Sequence, residues 1–158
     1  MRCLDIGCGK KEGRYKHDGY EMVYLDIDSK VEPDVAADAR KLPFENEEFD
    51  AIHSSHLLEH FSRMESLEIL KEWVRVLKQG GKVRLVVPNI ITIMERLRDD
   101  SLNEVDFWVV LGKQGNEFDY HKNLFTPNIM RSLCERAELK NVMLSMIAPI
   151  HILVEAEK

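Results

Sequence analysis

A glycine turn with an acid two residues ahead of it lies near the start of the chain, in Asp5-Ile6-Gly7-Cys8-Gly9. Glycine lets a ligand approach the backbone closely, and turns of this kind follow the first strand of many ligand-binding α/β sheets. Two further acids, Asp26 and Asp38, are predicted at the ends of later strands. The three carboxylates should therefore meet at one edge of a sheet, where they favour a ligand with positive charge and hydrogens to donate.

The acid at Asp5 discriminates between two ligands that glycine turns bind. A dinucleotide would place its pyrophosphate against the turn, and a carboxylate there would repel that anion. S-adenosylmethionine has no phosphate and carries an ammonium and a sulfonium group, which a nearby acid attracts. We therefore expect S-adenosylmethionine as the cofactor, with its ribose hydroxyls on Asp26 and its adenine amino group on Asp38. Asp28 is the alternative residue for the ribose contact. Ile27 and Ala39, beside these acids, are predicted to form apolar walls around the adenine ring.

Two histidines are candidates for a general base. A hydroxyl that attacks a methyl group benefits from a base with a pKa near neutrality, which is a property of histidine. His121 is the first candidate because Asp119, two residues away, is placed to orient its ring. His56 is the second candidate because it follows a strand at the predicted mouth of the cofactor site. The other four histidines are predicted to be structural or solvated: His17, His53, His60 and His151.

Alternating strands and helices predict a Rossmann-like α/β fold, a doubly wound and mostly parallel sheet in a single domain over residues 1–158. Short apolar runs predict parallel strands over residues 1–6, 21–26, 34–38, 49–54 and 82–88. Residues 142–147 and 150–156, joined by a short turn at Pro149, predict a C-terminal antiparallel hairpin. The hairpin makes the reversed edge of the sheet.

Helices are predicted between these strands. Apolar residues spaced by three and four positions from Met64 to Leu77 predict a long helix that ends at Gly80-Gly81. A second helix is predicted over residues 90–98, and an irregular segment follows it. Thr126 as the N-cap and Pro127 as the first helical residue predict a last helix that runs to about Leu139.

The first two crossovers are short. Gly9 and Glu21, and then Asp26 and Asp34, are separated by fewer residues than a helical crossover needs. We expect loops or single turns there, so that one face of this half of the sheet is thinly covered. Either the side chains on that face are small or polar, or another chain covers them, and we expect a homodimer.

Composition narrows the class of protein. A formal net charge of −6 disfavours nucleic acid as a partner, because phosphate binding needs clustered Lys and Arg. No apolar run approaches the roughly twenty residues of a membrane span, and no signal-peptide pattern is seen, so we expect a cytoplasmic protein. Three cysteines without metal-type spacing predict reduced thiols and no metal site.

Four segments resemble, in order, the motifs of class I S-adenosylmethionine-dependent methyltransferases: LDIGCG, YLDID, DARKLPFENEEFDAIHSSHLLEHF and LKEWVRVLKQGGKVRLVVPN. The resemblance spans residues 1–89. It implies that Asp5 and the turn Gly7-Cys8-Gly9 hold the methionine end, that Asp26 holds the ribose, and that Asp38 with Ala39 holds the adenine. It also implies that three residues after the fourth strand face the methyl group and the acceptor: Ser54, Ser55 and His56.

The tail NEFDYHKNLFTPNIMRSLCERAELKNV is similar to a subset of these enzymes that is associated with cell-surface polysaccharide and glycolipid biosynthesis. The resemblance implies a small-molecule or glycan-type acceptor that is methylated on oxygen or nitrogen. Two features depart from the family: the N-terminal helices that often cap the cofactor are missing, and the first crossover is too short for a full helix.

Two other functions compete with methyl transfer. An NAD-linked oxidoreductase would use the same sheet, but Gly7, Gly9 and Gly13 have the wrong spacing for its G-x-G-x-x-G turn. A non-catalytic or regulatory protein that binds S-adenosylmethionine is favoured slightly by the missing cap helices and opposed by the three acids at strand ends.

Overall fold

The computed structural model describes residues 1–148 and 150–158, so the turn predicted at Pro149 lies outside the described residues. Strands β1 to β5 span Arg2–Ile6, Glu21–Asp26, Val35–Ala36, Phe49–Ser55 and Leu77–Pro88, and β6 and β7 span Lys140–Ile147 and His151–Glu157. They form one sheet in the order β3-β2-β1-β4-β5-β7-β6. Strands β1 to β5 are parallel, and β7 is antiparallel to both of its neighbours. The α/β class, the mostly parallel sheet and the C-terminal antiparallel hairpin are confirmed, although the reversed strand lies one position in from the edge.

The strand order creates a switch point between β1 and β4. The chain runs outward from β1 through β2 to β3 and then returns to place β4 on the other side of β1. Ile6 and Ser54 are paired at the carboxyl ends of these two strands. Because the connections leave the sheet in opposite directions there, a crevice opens at that point, as in other open α/β sheets that bind ligands. The glycine turn and His56 follow these two strands directly.

Four α-helices connect or flank the strands in the described part of the chain: α1 Ser66–Val76, α2 Ile90–Arg98, α3 Glu104–Leu111 and α4 Pro127–Arg136. The hydroxyl of Thr126 accepts a hydrogen bond from Ile129 N at 3.2 Å, and Pro127 starts α4, so this helix start is confirmed. Helices α1 and α4 contact each other and the second half of the sheet. No helix within the described residues is both long enough and apolar enough to cross a membrane.

The end of α1 differs from the prediction. The helix stops at Val76, before the glycine pair Gly80-Gly81, and Leu77 already has extended dihedral angles. Leu77 pairs with Phe49 of β4, so β5 begins where the apolar spacing predicted one more helical turn. The contact with β4, which is distant in sequence, outweighs the local helical pattern. Met64 lies before the helix and is exposed.

The prediction of an irregular segment after residue 98 is wrong for residues Glu104–Leu111, which form α3. The side chain of Asn103 accepts from the backbone N–H groups of Val105 and Asp106, and Asp106 accepts in return from Asn103 N. This capping box satisfies the free N–H groups at the start of the helix. Phe107 and Trp108, which lie on α3, are about half exposed and do not belong to the core.

The core lies on one face of the sheet, between the strands and the pair α1 and α4. Leu4, Leu25 and Ile52 from the strands join Trp73 of α1 and Met130 of α4 in a single apolar cluster. The indole N–H of Trp73, which is 1 % exposed, donates to the carbonyl oxygen of Ala39 at 2.9 Å. This hydrogen bond connects the centre of the core to the chain just after β3.

Residues alternate between the two faces of a strand, and the opposite face carries polar side chains such as Asp5, His53 and Arg84. The crossovers on this side are loops with single 3-10 turns at Lys11–Gly13 and Ser29–Val31, as predicted. Tyr15, from the first loop, stacks on His53 with ring centroids 3.8 Å apart. A groove of about 830 Å³ continues across the face, and ion pairs such as Lys82 with Glu157 lie along it.

The Trp73 hydrogen bond can be tested by substitution. Trp73→Phe should lower the free energy of unfolding by about 1–3 kcal/mol, because the Ala39 carbonyl loses its buried donor. Trp108→Phe is the matched control, since Trp108 is half exposed on α3 and should change stability by less than about 0.5 kcal/mol. Urea unfolding followed by circular dichroism measures both. Equal stability of the two variants would contradict the assigned role.

Candidate functional site

A cavity of about 440 Å³ opens at the carboxyl ends of β1 and β2. It brings together most of the residues that the sequence predicted to touch the cofactor. Six of these residues and the candidate base line it: Gly7, Gly9, Asp26, Ile27, Asp38, Ala39 and His56. Their convergence in one cavity at the switch point fits a nucleoside-like ligand that lies across the glycine turn.

Asp26 is fixed in place by the backbone. Its Oδ2 accepts from Gly9 N at 2.9 Å, and its Oδ1 accepts from Asp28 N at 3.0 Å. Each carboxylate oxygen has a second lone pair that these bonds leave free. Asp26 can therefore accept further hydrogen bonds from a pair of adjacent hydroxyls without moving.

The glycine turn leaves open space at one of its two glycines. Gly9 has a φ of 59°, which favours glycine, and a Cβ there would meet nothing within 4 Å. At Gly7 a Cβ would lie only 2.9 Å from the side chain of Leu57. Leu57 therefore packs against Gly7, whereas the space over Gly9 is free to receive a ligand. The turn fits the adenosyl cofactor that the sequence predicts.

Asp38 lies in the cavity wall but already has a partner. Arg40 donates to it from Nε at 3.0 Å and from Nη2 at 2.6 Å. The hydrogen bond with this guanidinium lowers the pKa of the Asp38 carboxyl below its ordinary value. Asp38 stays ionised and able to accept, but an adenine amino group must share it with Arg40.

A smaller cavity of about 290 Å³ adjoins the first and shares Gly7 and Gly9 with it. Asp5, Cys8 and Ser55 line this second cavity, so Asp5 is separated by the glycine turn from Asp26 and Asp38. The glycine turn thus divides the predicted cofactor residues between two cavities.

Asp5 is held by a histidine that sequence reasoning treated only as structural. Its Oδ1 bonds to Nδ1 of His53 at 2.7 Å, and His53 Nε2 lies 3.3 Å from Nη1 of Arg84. Because an arginine only donates, Nε2 accepts, and His53 donates from Nδ1 to Asp5. Asp5 is 2 % exposed, so this chain of bonds orients a buried carboxylate beside the glycine turn.

Ser54 is not brought to either cavity. It is buried, and its hydroxyl donates to the carbonyl oxygen of Ile6 at 2.9 Å. The sequence placed Ser54 toward the methyl group and the acceptor, but this bond joins β4 to β1 instead. Its neighbour Ser55 lines the smaller cavity, because successive residues of a strand point to opposite faces.

His56 lies at the mouth of the larger cavity with a partner that the sequence did not indicate. Its Nδ1 is 3.1 Å from Oε1 of Glu59, whose side chain is completely buried. An ionised carboxylate only accepts, so Nδ1 carries the hydrogen and Nε2 is free to accept a proton. In the sequence, the pairing of His56 with Glu59 is indicated only by their spacing of three residues. That spacing predicts a contact only when the 3-10 turn at Leu58–His60 is known.

His121 differs from its predicted setting. Its Nδ1 lies 2.9 Å from the carbonyl oxygen of Val109, whereas Asp119 accepts from Asn116. The predicted orientation of His121 by Asp119 is therefore wrong, because the carbonyl at the end of α3 takes that position. Asp119 and Lys122 line the larger cavity, but His121 is not among its lining residues.

Other lining residues were missed because they come from segments without a sequence signal. Leu57, Phe61 and Phe118 add apolar surface to the cavity that Ile27 and Ala39 were predicted to wall. Burial raises the pKa of the Cys8 thiol to about 11, so this cysteine is a protonated wall residue and not a nucleophile.

Asp26→Asn tests the ribose contact. One amide nitrogen would replace an acceptor that faces a backbone N–H, so we expect S-adenosylhomocysteine to bind about 10- to 100-fold more weakly, in line with about 1.5–3 kcal/mol for hydrogen bonds to a charged group. The exposed Asp18 provides the control variant Asp18→Asn. Calorimetry compares the two, and equal affinities would remove Asp26 from the site.

Residues 4–85 match the family described as "Methyltransferase domain". A stretch of 103 residues is 28% identical to Sterol 4-C-methyltransferase strm-1 of Caenorhabditis elegans, and covers 52% of this chain and 29% of that protein. The chain thus spans less than a third of the length of this curated relative.

Solved structures share the whole fold. A SAM dependent methyltransferase from Archaeoglobus fulgidus has a TM-score of 0.71 at 17% identity, over 100% of this chain and 86% of that one. The 1,6-didemethyltoxoflavin-N1-methyltransferase of Burkholderia thailandensis, solved with S-adenosylhomocysteine, has a TM-score of 0.67 at 15% identity, over 99% and 70%. The family match covers about half of the chain. It favours a methyltransferase over the NAD-linked oxidoreductase that the sequence left as an alternative. The chain belongs to the methyltransferase-domain family, whose cofactor is S-adenosylmethionine.

Proposed function

We propose that this domain transfers the methyl group of S-adenosylmethionine to an oxygen or nitrogen of a small-molecule or glycan-type acceptor, with His56 as the general base. One observation carries the proposal: His56, oriented by the buried Glu59, lines the same cavity as Asp26 and Asp38. A base at the mouth of the cofactor cavity is positioned to meet the acceptor. The proposal reverses the order of the two histidines that the sequence favoured.

The bound cofactor supplies a methyl group that is already activated on its sulfonium sulfur. The protein must therefore align the acceptor and remove its proton. With the cofactor bound, the acceptor oxygen would attack the methyl carbon as the bond from that carbon to the sulfonium sulfur breaks, with S-adenosylhomocysteine as the leaving group, and Nε2 of His56 would accept the hydroxyl proton. Glu59 then stabilises the protonated imidazole through Nδ1. Leu57 and Phe61 line the same cavity as His56 and give that part of its wall an apolar surface.

The acceptor class is the open part of the proposal. The resemblance of residues 116–142 to enzymes of polysaccharide and glycolipid biosynthesis supports a sugar hydroxyl. A lipid-type acceptor is the second candidate, because α2 and α3 expose large apolar side chains: Ile91, Met94, Leu97, Val105, Phe107, Trp108 and Leu111. The sterol methyltransferase relative also supports it. A glycolipid would combine both features.

Three further expectations remain proposals. The cytoplasm stays the proposed location, supported by three buried cysteines that are free thiols. A homodimer through the polar face of the sheet also stays a proposal, although charged residues on that face, such as Arg84 and Glu155, are compatible with solvent. A non-catalytic binding protein is the alternative to the enzyme, and it predicts cofactor binding without methyl transfer to any acceptor.

His56→Asn tests the base. Asparagine tolerates the left-handed conformation that His56 adopts, with a φ of 54°, so the backbone should stay in place. We expect turnover to fall about 100- to 10,000-fold, while the affinity for S-adenosylhomocysteine changes far less. The assay follows product release with the best acceptor from a panel of sugar, lipid and phenol hydroxyls. His17→Asn, at an exposed position, is the control, and equal turnover of the two variants would refute the role.

Light scattering at micromolar concentration tests the homodimer. We expect a mass of twice 18.4 kDa for the wild type. A wild-type mass of one chain would reject the homodimer.

A further inference from the structure

Three potential metal ligands meet beside the larger cavity. One carboxylate oxygen of Glu59 and one ring nitrogen each from His60 and His121 lie within 4.8 Å of one another. His60 and His121 also contact each other edge to face, with ring centroids 4.7 Å apart. Glu59 is completely buried, and both histidines are half-buried. Two imidazoles and a carboxylate form a ligand set that transition metals use in proteins.

Both imidazoles are fixed in the tautomer that binds metals. Nδ1 of His60 lies 3.2 Å from the carbonyl oxygen of Tyr120, and Nδ1 of His121 lies 2.9 Å from that of Val109. A carbonyl oxygen only accepts, so each Nδ1 donates and each Nε2 keeps a lone pair. A histidine that binds a metal usually donates its other ring N–H to a carbonyl or a carboxylate in this way.

Glu59 has an oxygen that lacks a partner. Oε1 bonds to His56, but Oε2 is buried and has no hydrogen-bond partner within the described part of the chain. Leaving a carboxylate oxygen buried and unpaired costs free energy, and native structures rarely do so without a reason. A bound cation would supply the missing partner and offset the buried negative charge.

The backbone holds the two halves of the cluster together. The carbonyl oxygen of Glu59 accepts from Lys122 N at 2.8 Å and from Asn123 N at 3.1 Å. Gly112 lets the end of α3 approach the segment of His121 closely, since a Cβ there would lie 1.7 Å from the carbonyl oxygen of Asp119. The ligands thus come from two segments that are tied to each other by main-chain bonds.

We propose that Glu59, His60 and His121 bind one divalent transition-metal cation of the Zn²⁺ type. Zinc takes histidine nitrogens at about 2.0–2.1 Å and carboxylate oxygens at about 2.0–2.2 Å, so the three side chains close in slightly on the ion. Three protein ligands leave a fourth position for water or for an oxygen of a bound molecule. Since His60 lines the larger cavity, the ion lies at its wall.

The cysteines do not compete for the ion. Burial raises the pKa of Cys3 and Cys134 to about 12 and that of Cys8 to about 11, so all three remain thiols. Metal binding needs the thiolate. A zinc titration should therefore report binding to the imidazoles of His60 and His121 and not to the cysteines.

The experiment uses the untagged, chelator-treated full chain without cofactor, so that its result does not depend on methyl transfer. Titration with Zn²⁺ in a calorimeter should give one equivalent of tight binding for the wild type. His121→Ala and Glu59→Gln should weaken it at least about 10- to 100-fold. Glu59→Gln keeps an acceptor for His56 and so tests the charge of the carboxylate alone. His17→Ala, at an exposed histidine, should bind Zn²⁺ as the wild type does.

Co²⁺ provides a readout that does not rely on folded variants. The wild type should give the d–d absorption of four- or five-coordinate Co²⁺ with nitrogen ligands, and one equivalent of Zn²⁺ should abolish it. Absence of stoichiometric binding in the wild type, or an equal loss in His17→Ala and His121→Ala, would overturn the site. Failure of methyl transfer with intact Zn²⁺ binding would reject the proposed function and leave the metal site standing.

Discussion

The buried carboxylate of Glu59 is the group on which the candidate site depends. Burying a charge costs several kcal/mol unless partners compensate it, and among the residues that the structure describes His56 is the one side-chain partner of Glu59. Its main chain also holds the segment of Lys122 through two N–H bonds. The base, the wall of the cofactor cavity and the imidazole of His121 are therefore all positioned by one 3-10 turn after β4. A residue that looks like one acid among many in the sequence organises the chemistry of this edge of the sheet.

The cofactor residues could be predicted because their positions follow from local rules. A glycine turn after β1 and acids at the ends of β2 and β3 are brought to one edge by the parallel sheet alone, and Asp26 and Asp38 do line one cavity. Asp5 lies across the turn with His53, a partner from β4 that no local pattern indicates. The predicted end of α1 was wrong for the same reason, since the pairing of Leu77 with Phe49 connects segments that are distant in sequence. The start of α3, by contrast, carried a capping-box signal that sequence reasoning overlooked.

The pairing of Glu59 with His56 and its closeness to His121 were beyond sequence reasoning for a different reason. They require knowing that residues 120–123 return to the turn at Leu58–His60. That contact is made by main-chain hydrogen bonds, which do not depend on the residue types and so leave no signal in the sequence. Candidate histidines could be identified by type, but the partner of each one depends on tertiary structure. The carbonyl of Val109 replaced Asp119 beside His121, and Glu59 took the orienting role beside His56. Orienting groups are harder to predict than the groups they orient.

The proposed base and the proposed cation share one carboxylate, which couples them physically. A cation on Glu59 withdraws negative charge from the oxygen that accepts from His56, so it weakens the stabilisation of a protonated imidazole. The same cation would offer its free position to an oxygen of the acceptor, which lowers the pKa of a bound hydroxyl and reduces the need for a strong base. The first effect makes His56 a weaker base, whereas the second makes the acceptor hydroxyl easier to deprotonate. Because both effects act through Glu59, methyl transfer at this site would require that carboxylate whether or not the cation is bound.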